Sequence, residues 1–109
     1  MKLLSRADEI LMVAVACVGT GAYSTPVLAE IHKRGGKKLT VGSLWVSLDQ
    51  LAERGLIRKR MEKRASGKGG RAKVYYHLTP RGVRILLRTR EFSSTLWNGV
   101  PDLTHYSGN

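Results

Sequence analysis

The sequence predicts a single, mainly helical α+β domain of the winged helix-turn-helix type. Its 109 residues are enough for one domain and not for two. Apolar residues recur with helical spacing up to residue 55, and β-forming residues dominate the two segments that follow. The resulting order is three helices, a two-stranded hairpin and a last helix. The hairpin also carries much of the chain's net charge of +11, which predicts attraction to a polyanion such as nucleic acid.

The first helix is predicted over Arg6–Val18. Ser5 is a favourable N-cap, and Asp8 places negative charge in the first turn, where it interacts favourably with the helix dipole. Residues 10–18 are apolar on every side, so we expect them to be buried on every side, in the core or at a subunit interface. The interface candidates on this helix are Met12 and Val15.

Two features of the first helix favour a cytoplasmic protein with no membrane partner. Cys17 is the only cysteine, so no disulfide forms within the chain, and its thiol is expected to be buried as a small hydrophobic group. The nine apolar residues are too few to cross a bilayer. Asp8 and Glu9 stand directly before them, where a signal peptide requires positive charge.

The next two helices form the predicted helix-turn-helix. The second is predicted to begin at Thr25-Pro26, a capping residue followed by proline at the first helical position, and to end after Arg34. The third is predicted over residues 41–54, with Thr40 as its N-cap and Gly55 after its end. Apolar residues at positions 41, 44, 48 and 51 form one stripe, which leaves a polar face opposite.

A hairpin with a basic tip follows the third helix. Residues 56–63 and 72–78 read as strands, and the glycine-rich residues 65–71 join them. Between Arg58 and Lys73 there are eight basic residues and one acidic residue, Glu62. A hairpin with this charge can lie along a phosphate backbone and insert its tip into a minor groove.

A last helix is predicted from Thr79-Pro80, which repeats the capping signal, to about Trp97. This helix carries two apolar rows, and only one of them can pack on the domain. The other row is most simply buried against a partner subunit. The rows consist of Val83, Leu86, Leu87 and Trp97, and of Ile85, Phe92 and Leu96 with Thr89 between them. We therefore expect a domain over residues 1–97 and a flexible tail over residues 98–109.

Several motifs, in this order, resemble the PadR-like family of transcriptional regulators. Gly42-Ser43-Leu44-Trp45 followed by residues 48–57 is similar to that family's Gly-Thr-Leu-Tyr…Leu-Glu-x-x-Gly-Leu-Ile pattern. Gly69-Gly70-Arg71 and residues 75–82 are similar to its Gly-Gly…Tyr-Tyr-x-Leu-Thr-x-x-Gly pattern. The resemblance covers about residues 8–95.

The resemblance implies a homodimeric bacterial repressor that binds double-stranded DNA at a palindromic operator. It implies that the third helix enters the major groove, that the hairpin, or wing, lies on the backbone, and that the first and last helices pair the subunits. The chain departs from the family pattern at Trp45, where tyrosine is usual, and at residues 24–26, where Gly-Tyr is usual. It resembles the short, single-domain class because it lacks the additional C-terminal domain of longer members.

The candidate DNA contacts lie on the third helix and the hairpin. Hydroxyl and amide side chains of a recognition helix can bond to base edges, and glutamine can pair with adenine through two hydrogen bonds. The candidates for base contact are Thr40, Ser43, Ser47 and Gln50. The candidates for backbone contact are Trp45, Arg60, Lys63, Arg64, Lys68, Arg71, Lys73 and Tyr75. Trp45 has an alternative role as a partly buried packing residue.

The last helix supplies the other half of the expected dimer interface and the only candidate effector pocket. Short members of the family stack flat aromatic ligands on an aromatic residue of this helix, so the resemblance allows a small aromatic effector. The candidates are Phe92, Leu96 and Trp97, together with Met12 and Val15 of the first helix. Packing between subunits is the simpler role for them.

Neither an enzyme nor a metal or cofactor site is expected. His32, His77 and His105 are scattered, and the only cysteine stands apart from them. Residues 67–70 are glycine-rich but join two strands and lack the Gly-Lys-Ser/Thr ending of a phosphate-binding loop. The alternative to a sequence-specific regulator is a winged-helix module with an architectural, replication or partition role. Such a module binds nucleic acid or protein and discriminates little between duplexes.

Overall fold

The computed structural model describes residues 2–35, 37–62 and 73–106. Its helices and strands, in chain order, are α1 (Arg6–Val18), α2 (Ser24–Lys33), α3 (Val41–Glu53), β1 (Ile57–Met61), β2 (Val74–Leu78) and α4 (Pro80–Trp97). Short 3-10 turns lie at Gly19–Gly21 and Leu103–His105. The two strands pair antiparallel, so the fold is the predicted mainly helical winged helix-turn-helix. None of the described helices is long and apolar enough to cross a bilayer.

Three helices begin at the capping residues that the sequence predicts. In each case a hydroxyl oxygen accepts a hydrogen bond from a backbone N–H of the first turn, which would otherwise lack a partner. The hydroxyls of Ser5, Thr40 and Thr79 accept from the N–H groups of Asp8, Ser43 and Gly82 at 3.1, 3.1 and 3.0 Å. These caps fix the start of α1, α3 and α4.

Three predicted boundaries were wrong by a few residues. α2 begins at Ser24 with Tyr23 as its N-cap, and not at the predicted Thr25-Pro26. Pro26 is therefore the third helical residue and not the first, and it is tolerated there because the N–H groups of the first turn lack intrahelical partners anyway. The strands are also shorter than predicted, since β1 ends at Met61 and β2 begins at Val74.

The core lies between the first three helices and the base of the hairpin, with α4 closing one side. Its largest fully buried side chains are Met12, Val15, Val27, Ile31, Leu44, Leu48, Leu51 and Leu56. The leucine stripe of α3 is therefore its inner face, as the helical spacing predicts.

Within the protomer α1 is buried on one face only, so its own core does not cover it on every side, and burial of the rest at a subunit interface stays a prediction. Met12 and Val15 are 0% and 1% exposed within the protomer. They are core residues, which removes them from any surface that a second subunit could touch and corrects their prediction as interface residues. Ala16 and Cys17 are exposed, so the thiol is not the buried group that was expected. No other described element covers that side of the helix.

The end of α3 and the start of α4 are joined by a close backbone contact. The Thr79 hydroxyl donates to the carbonyl oxygen of Gly55 at 2.6 Å, and the Thr79 N–H donates to that of Leu56 at 3.1 Å. Gly82 lies directly over this carbonyl group: a Cβ added there would overlap the Leu56 oxygen and come within 2.9 Å of its carbon. Only glycine fits at this point.

A buried hydroxyl ties the N-terminal segment to α4. The Thr89 oxygen accepts from the Leu4 N–H at 3.1 Å and donates to the carbonyl oxygen of Ile85 at 2.8 Å. We expect Thr89→Val to lower the free energy of unfolding by about 1–2 kcal/mol, because the Leu4 N–H then lacks an acceptor. Urea denaturation measures this change.

Thr95→Val is the matched control, since Thr95 is an exposed residue of the same helix. It is expected to shift the urea midpoint only slightly. An equal loss of stability in the two variants would contradict the assigned role of the buried hydroxyl.

The second half of α4 extends past the body of the domain. Ile85 and Thr89 are buried, whereas Phe92, Leu96 and Trp97 are 54%, 59% and 60% exposed. At 100° per residue, Phe92 and Leu96 lie on the same side of the helix as Ile85 and Thr89. The apolar face that packs on the domain in the first half of α4 therefore continues uncovered into the second half.

Residues 98–106 form an exposed segment with one short turn. The Asp102 carboxylate accepts hydrogen bonds from the N–H and hydroxyl groups of Thr104 at 3.0 and 2.6 Å. These bonds favour the charged carboxylate and so lower the pKa of Asp102.

Candidate nucleic-acid interface

The side of α3 opposite the buried leucines is exposed. Gly42, Val46 and Gln50 follow one another at four-residue spacing along the centre of this side, and Ser43 lies next to them. We call these four residues the α3 face. It contains two of the predicted base-contact residues, Ser43 and Gln50, and both are exposed.

The other two predicted base-contact residues have different surroundings. Thr40 is exposed, but its hydroxyl accepts from the Ser43 N–H and donates to the Ser43 hydroxyl at 3.0 Å. Ser43 thus keeps its own hydroxyl proton to donate elsewhere. Ser47 is half-buried at the edge of α3, where it lines a small cavity beside Ile10 and Leu39. Of the four candidates, Ser43 and Gln50 are the best placed for a ligand outside the chain.

An ion pair connects α3 to the hairpin. The Lys59 ammonium group lies 2.9 Å from the Asp49 carboxylate, and both side chains are about half exposed. The hydrogen bond to this carboxylate, followed by its charge, raises the pKa of Lys59. Asp49 adjoins the α3 face, so the pair neutralises a carboxylate that would otherwise repel a polyanion there.

Two cations of the hairpin flank a pair of aromatic rings, one from the hairpin and one from the residue before α2. The Arg60 guanidinium lies 4.8 Å from the centroid of the Tyr75 ring, and the Lys73 ammonium lies 4.4 Å from that of Tyr23. The two rings meet edge to face at a centroid distance of 5.8 Å. Cation–π contacts of this kind orient charged side chains that would otherwise move freely. The predicted backbone contacts Arg60, Lys73 and Tyr75 therefore form one connected cluster.

Tyr76, the residue after Tyr75, holds the hairpin against Ala22, between the 3-10 turn at Gly19–Gly21 and α2. The Tyr76 N–H donates to the carbonyl oxygen of Ala22 at 2.7 Å, and its side chain is buried. Burial raises the pKa of the Tyr76 phenol above its usual value. Tyr76 therefore packs inward, whereas Tyr75, the predicted backbone contact, is only partly buried.

A cleft of about 440 Å³ separates the hairpin from α3 and the start of α2. Trp45, which is 47% exposed, lines one wall, and Lys59 and Lys73 line another. Ser24 and Thr25 close the cleft at the first turn of α2. The half-exposed indole agrees with both roles that the sequence allows for Trp45, packing and contact with a ligand.

The structure describes four of the eight predicted backbone-contact residues. Lys63, Arg64, Lys68 and Arg71 lie outside the described residues, as does the glycine-rich loop of the predicted hairpin tip. Within the described part, Arg58, Arg60 and Lys73 are exposed on the hairpin, and Lys37 and Lys38 are exposed just before α3. The cationic surface thus adjoins the α3 face on the hairpin side and at the start of the helix.

Sequence reasoning missed three residues of this surface. Val46 lies at the centre of the α3 face, Asp49 carries the ion pair to the hairpin, and Tyr23 links α2 to Lys73. Counting positions around the helix from Leu44 and Leu48 would have placed Val46 on the outer side. Tyr23 depends on a tertiary contact, and no local pattern signals it.

These features define a winged helix-turn-helix protein with an exposed helix face beside a cationic hairpin. No group of three or more potential metal ligands occurs in the part of the chain that the structure describes. A family model described as "Transcriptional regulator PadR-like family" matches residues 15–88. The chain therefore belongs to the PadR-like family, whose members are DNA-binding transcriptional regulators and not enzymes, as the sequence motifs predict.

Solved structures share the fold at low sequence identity. A PadR family transcription regulator from Clostridium difficile R20291 has a TM-score of 0.66 and 18% identity, over 86% of this chain and 96% of that one. A PadR family regulator from Eggerthella lenta DSM 2243 has a TM-score of 0.67 and 20% identity, over 89% and 82%. RosR from H. salinarum has a TM-score of 0.66 and 20% identity, over 91% and 82%. No curated protein matches the sequence.

Proposed function

We propose that the protein is a homodimeric repressor that binds a palindromic operator in double-stranded DNA, in the cytoplasm. The observation that carries the proposal is the exposed α3 face, flanked by the cation–aromatic cluster of the hairpin. A helix fits the major groove, and cations beside it neutralise phosphates on the flanking backbone. Sequence readout and electrostatic attraction then act at the same place.

The hairpin cluster suits contact with phosphates rather than with bases. Arg60 and Lys73 are held by aromatic rings, so little side-chain freedom remains to be lost on binding. Phosphate contacts fix the position of a protein on the duplex and carry no sequence information of their own. Discrimination between bases is therefore assigned to α3, with Gln50 and Ser43 as its polar donors.

The uncovered half of α4 supports the homodimer. Phe92 and Leu96 expose a continuous apolar face on a helix that extends beyond its own domain, and Trp97 is exposed on another side of the same helix. A second copy is the simplest cover, because a two-fold axis places the same face on both subunits. Dimerisation also aligns two α3 helices with two half-sites about one helical turn apart, near 10 bp or a multiple of it.

Selection of bound fragments from randomised duplex DNA tests the proposal, with the mass of the complex measured alongside. The proposal expects a palindromic consensus, two chains per duplex, and loss of transcription from a promoter that carries the consensus. The proposal would be contradicted if no consensus sequence were enriched and all duplexes were retained equally. That result would favour the alternative, a winged-helix module with an architectural, replication or partition role.

Removing the carboxylate beside the α3 face is expected to tighten DNA binding. Asp49→Asn eliminates a negative charge near the phosphates and frees Lys59 for one of them. Affinity for any duplex should rise several-fold at low salt, and the slope of log affinity against log salt should steepen by about one per subunit. Fluorescence anisotropy at several salt concentrations measures both quantities.

Glu91→Gln is the control, because it removes the same charge from the exposed surface of α4. It should leave the salt slope unchanged. If both variants tightened binding equally, the effect would reflect net charge alone and the placement of DNA on α3 would lose this support.

The exposed rings of α4 also favour an aromatic effector at the dimer centre, as a second role for the same surface. Phe92 and Trp97 offer flat apolar faces to which a planar ligand can stack. In a Trp45→Phe variant, Trp97 is the only tryptophan, so planar aromatic compounds that bind there should quench its fluorescence. Unchanged fluorescence up to millimolar concentrations of such compounds would contradict this role.

A further inference from the structure

Val46 is an apolar residue of the α3 face whose presence there is not explained by contacts within its own chain. Its side chain is 58% exposed, although it is apolar and lies on a helix whose buried stripe is formed by leucines. Valine also favours helix less than alanine or most polar residues do. Neither core packing nor helix stability therefore accounts for a valine at this position.

The surroundings of Val46 match contact with a base rather than with another protein. Its neighbours one turn away along the helix are Gly42, Ser43, Asp49 and Gln50, which are small or polar. A protein interface needs a larger apolar patch, whereas a single thymine methyl group needs one apolar side chain.

Gly42 allows the short valine side chain to reach a base. A Cβ at Gly42 would meet nothing within 4 Å, so the packing of the chain does not require glycine there. Its φ is also not positive, unlike those of Gly19 and Gly55. The absence of a side chain lowers the surface of α3 one turn before Val46, so the helix can lie closer to the floor of the groove.

Ser43 supplies the polar half of the same contact. Its hydroxyl accepts from Thr40 and retains a proton to donate, and it lies three residues before Val46 on the same side of the helix. In the major groove, thymine alone presents an acceptor, O4, together with a methyl group. Cytosine presents a donor in place of O4, and the purines have no methyl group.

We propose that Ser43 and Val46 together read a thymine in each half-site, with the Ser43 hydroxyl donating to O4 and Val46 contacting the methyl group. This inference rests on the proposed DNA-binding function and adds the base that the α3 face selects. Gln50, one turn further along, reads a neighbouring base pair.

Base analogues in the selected operator test the pair atom by atom. Replacing the thymine by uracil removes only the methyl group, and replacing its pair by 5-methylcytosine–guanine keeps the methyl group but removes the O4 acceptor. Uracil at one half-site should weaken wild-type binding about fourfold, as expected for losing one buried methyl group, and about fifteenfold at both. In Val46→Ala the uracil effect should vanish, and in Ser43→Ala the 5-methylcytosine effect should shrink.

Val100→Ala is the matched control, because it shortens a partly exposed valine in the C-terminal segment. It should retain the full uracil effect, and thermal unfolding checks that all variants fold. The inference is overturned if uracil is tolerated at every thymine of the operator, or if Val46→Ala remains sensitive to it. Failure of the wild-type protein to select any operator is a different result, which overturns the proposed function itself.

Discussion

Replacing Phe92 and Leu96 together by aspartate is expected to convert the dimer to a monomer and to weaken operator binding at least about 100-fold. Both side chains lie on the uncovered face of α4, more than half exposed in the protomer, so charge there should not unfold the domain. It should instead oppose burial against a second copy. A monomer binds only one half-site and loses the gain from linking two contacts.

Ser94→Asp serves as the control, since it adds charge to the same turn of α4 on the side opposite Phe92 and Leu96. Analytical ultracentrifugation and operator titration should find it dimeric with unchanged affinity. If the double variant remained a dimer, the subunits would pair through another surface.

Gly82→Ala adds a single methyl group and is expected to cause a large loss of stability. The new Cβ would overlap the carbonyl oxygen of Leu56 and lie 3.2 Å from the Met12 methyl group. Since the main obstacle is backbone, α4 must move away from the end of α3, which breaks the Thr79 contacts. We expect a loss of about 3 kcal/mol and a fall in the melting temperature of about 12 °C or more.

Gly42→Ala is the corresponding control, because the added Cβ meets open space within a helix. It should leave the melting temperature unchanged or raise it slightly, as alanine favours helix more than glycine does. A Gly82→Ala variant as stable as the wild type would show that α4 does not lie against the Leu56 carbonyl group.

The fold could be predicted from the sequence because capping residues mark where helices begin and apolar spacing marks which side of a helix is buried. Ser5, Thr40 and Thr79 cap the helices as expected, and the leucine stripe of α3 faces the core. The resemblance to PadR-like regulators, carried by motifs in α3 and around β2, agrees with the family model that matches residues 15–88.

The errors arose where burial depends on what surrounds an element. An all-apolar run does not say which of its sides is covered, so Met12 and Val15 were assigned to a partner and Cys17 to the core. The structure instead places Met12 and Val15 in the core and leaves Cys17 exposed on the protomer. The cation–aromatic cluster joins Tyr23 to Lys73 and Tyr75, and such a long-range contact leaves no periodic signal in the sequence.

The central claim is that the α3 face reads bases while the hairpin cations hold phosphates. Its most direct test is the affinity of the wild-type protein for the selected operator and for a scrambled duplex at increasing salt concentrations. Operator binding should exceed scrambled binding by at least about a thousandfold. If three hairpin cations per subunit each hold a phosphate, it should also weaken about a thousandfold between 50 and 200 mM salt. Equal affinity for the two duplexes, or affinity that does not change with salt, would contradict the account.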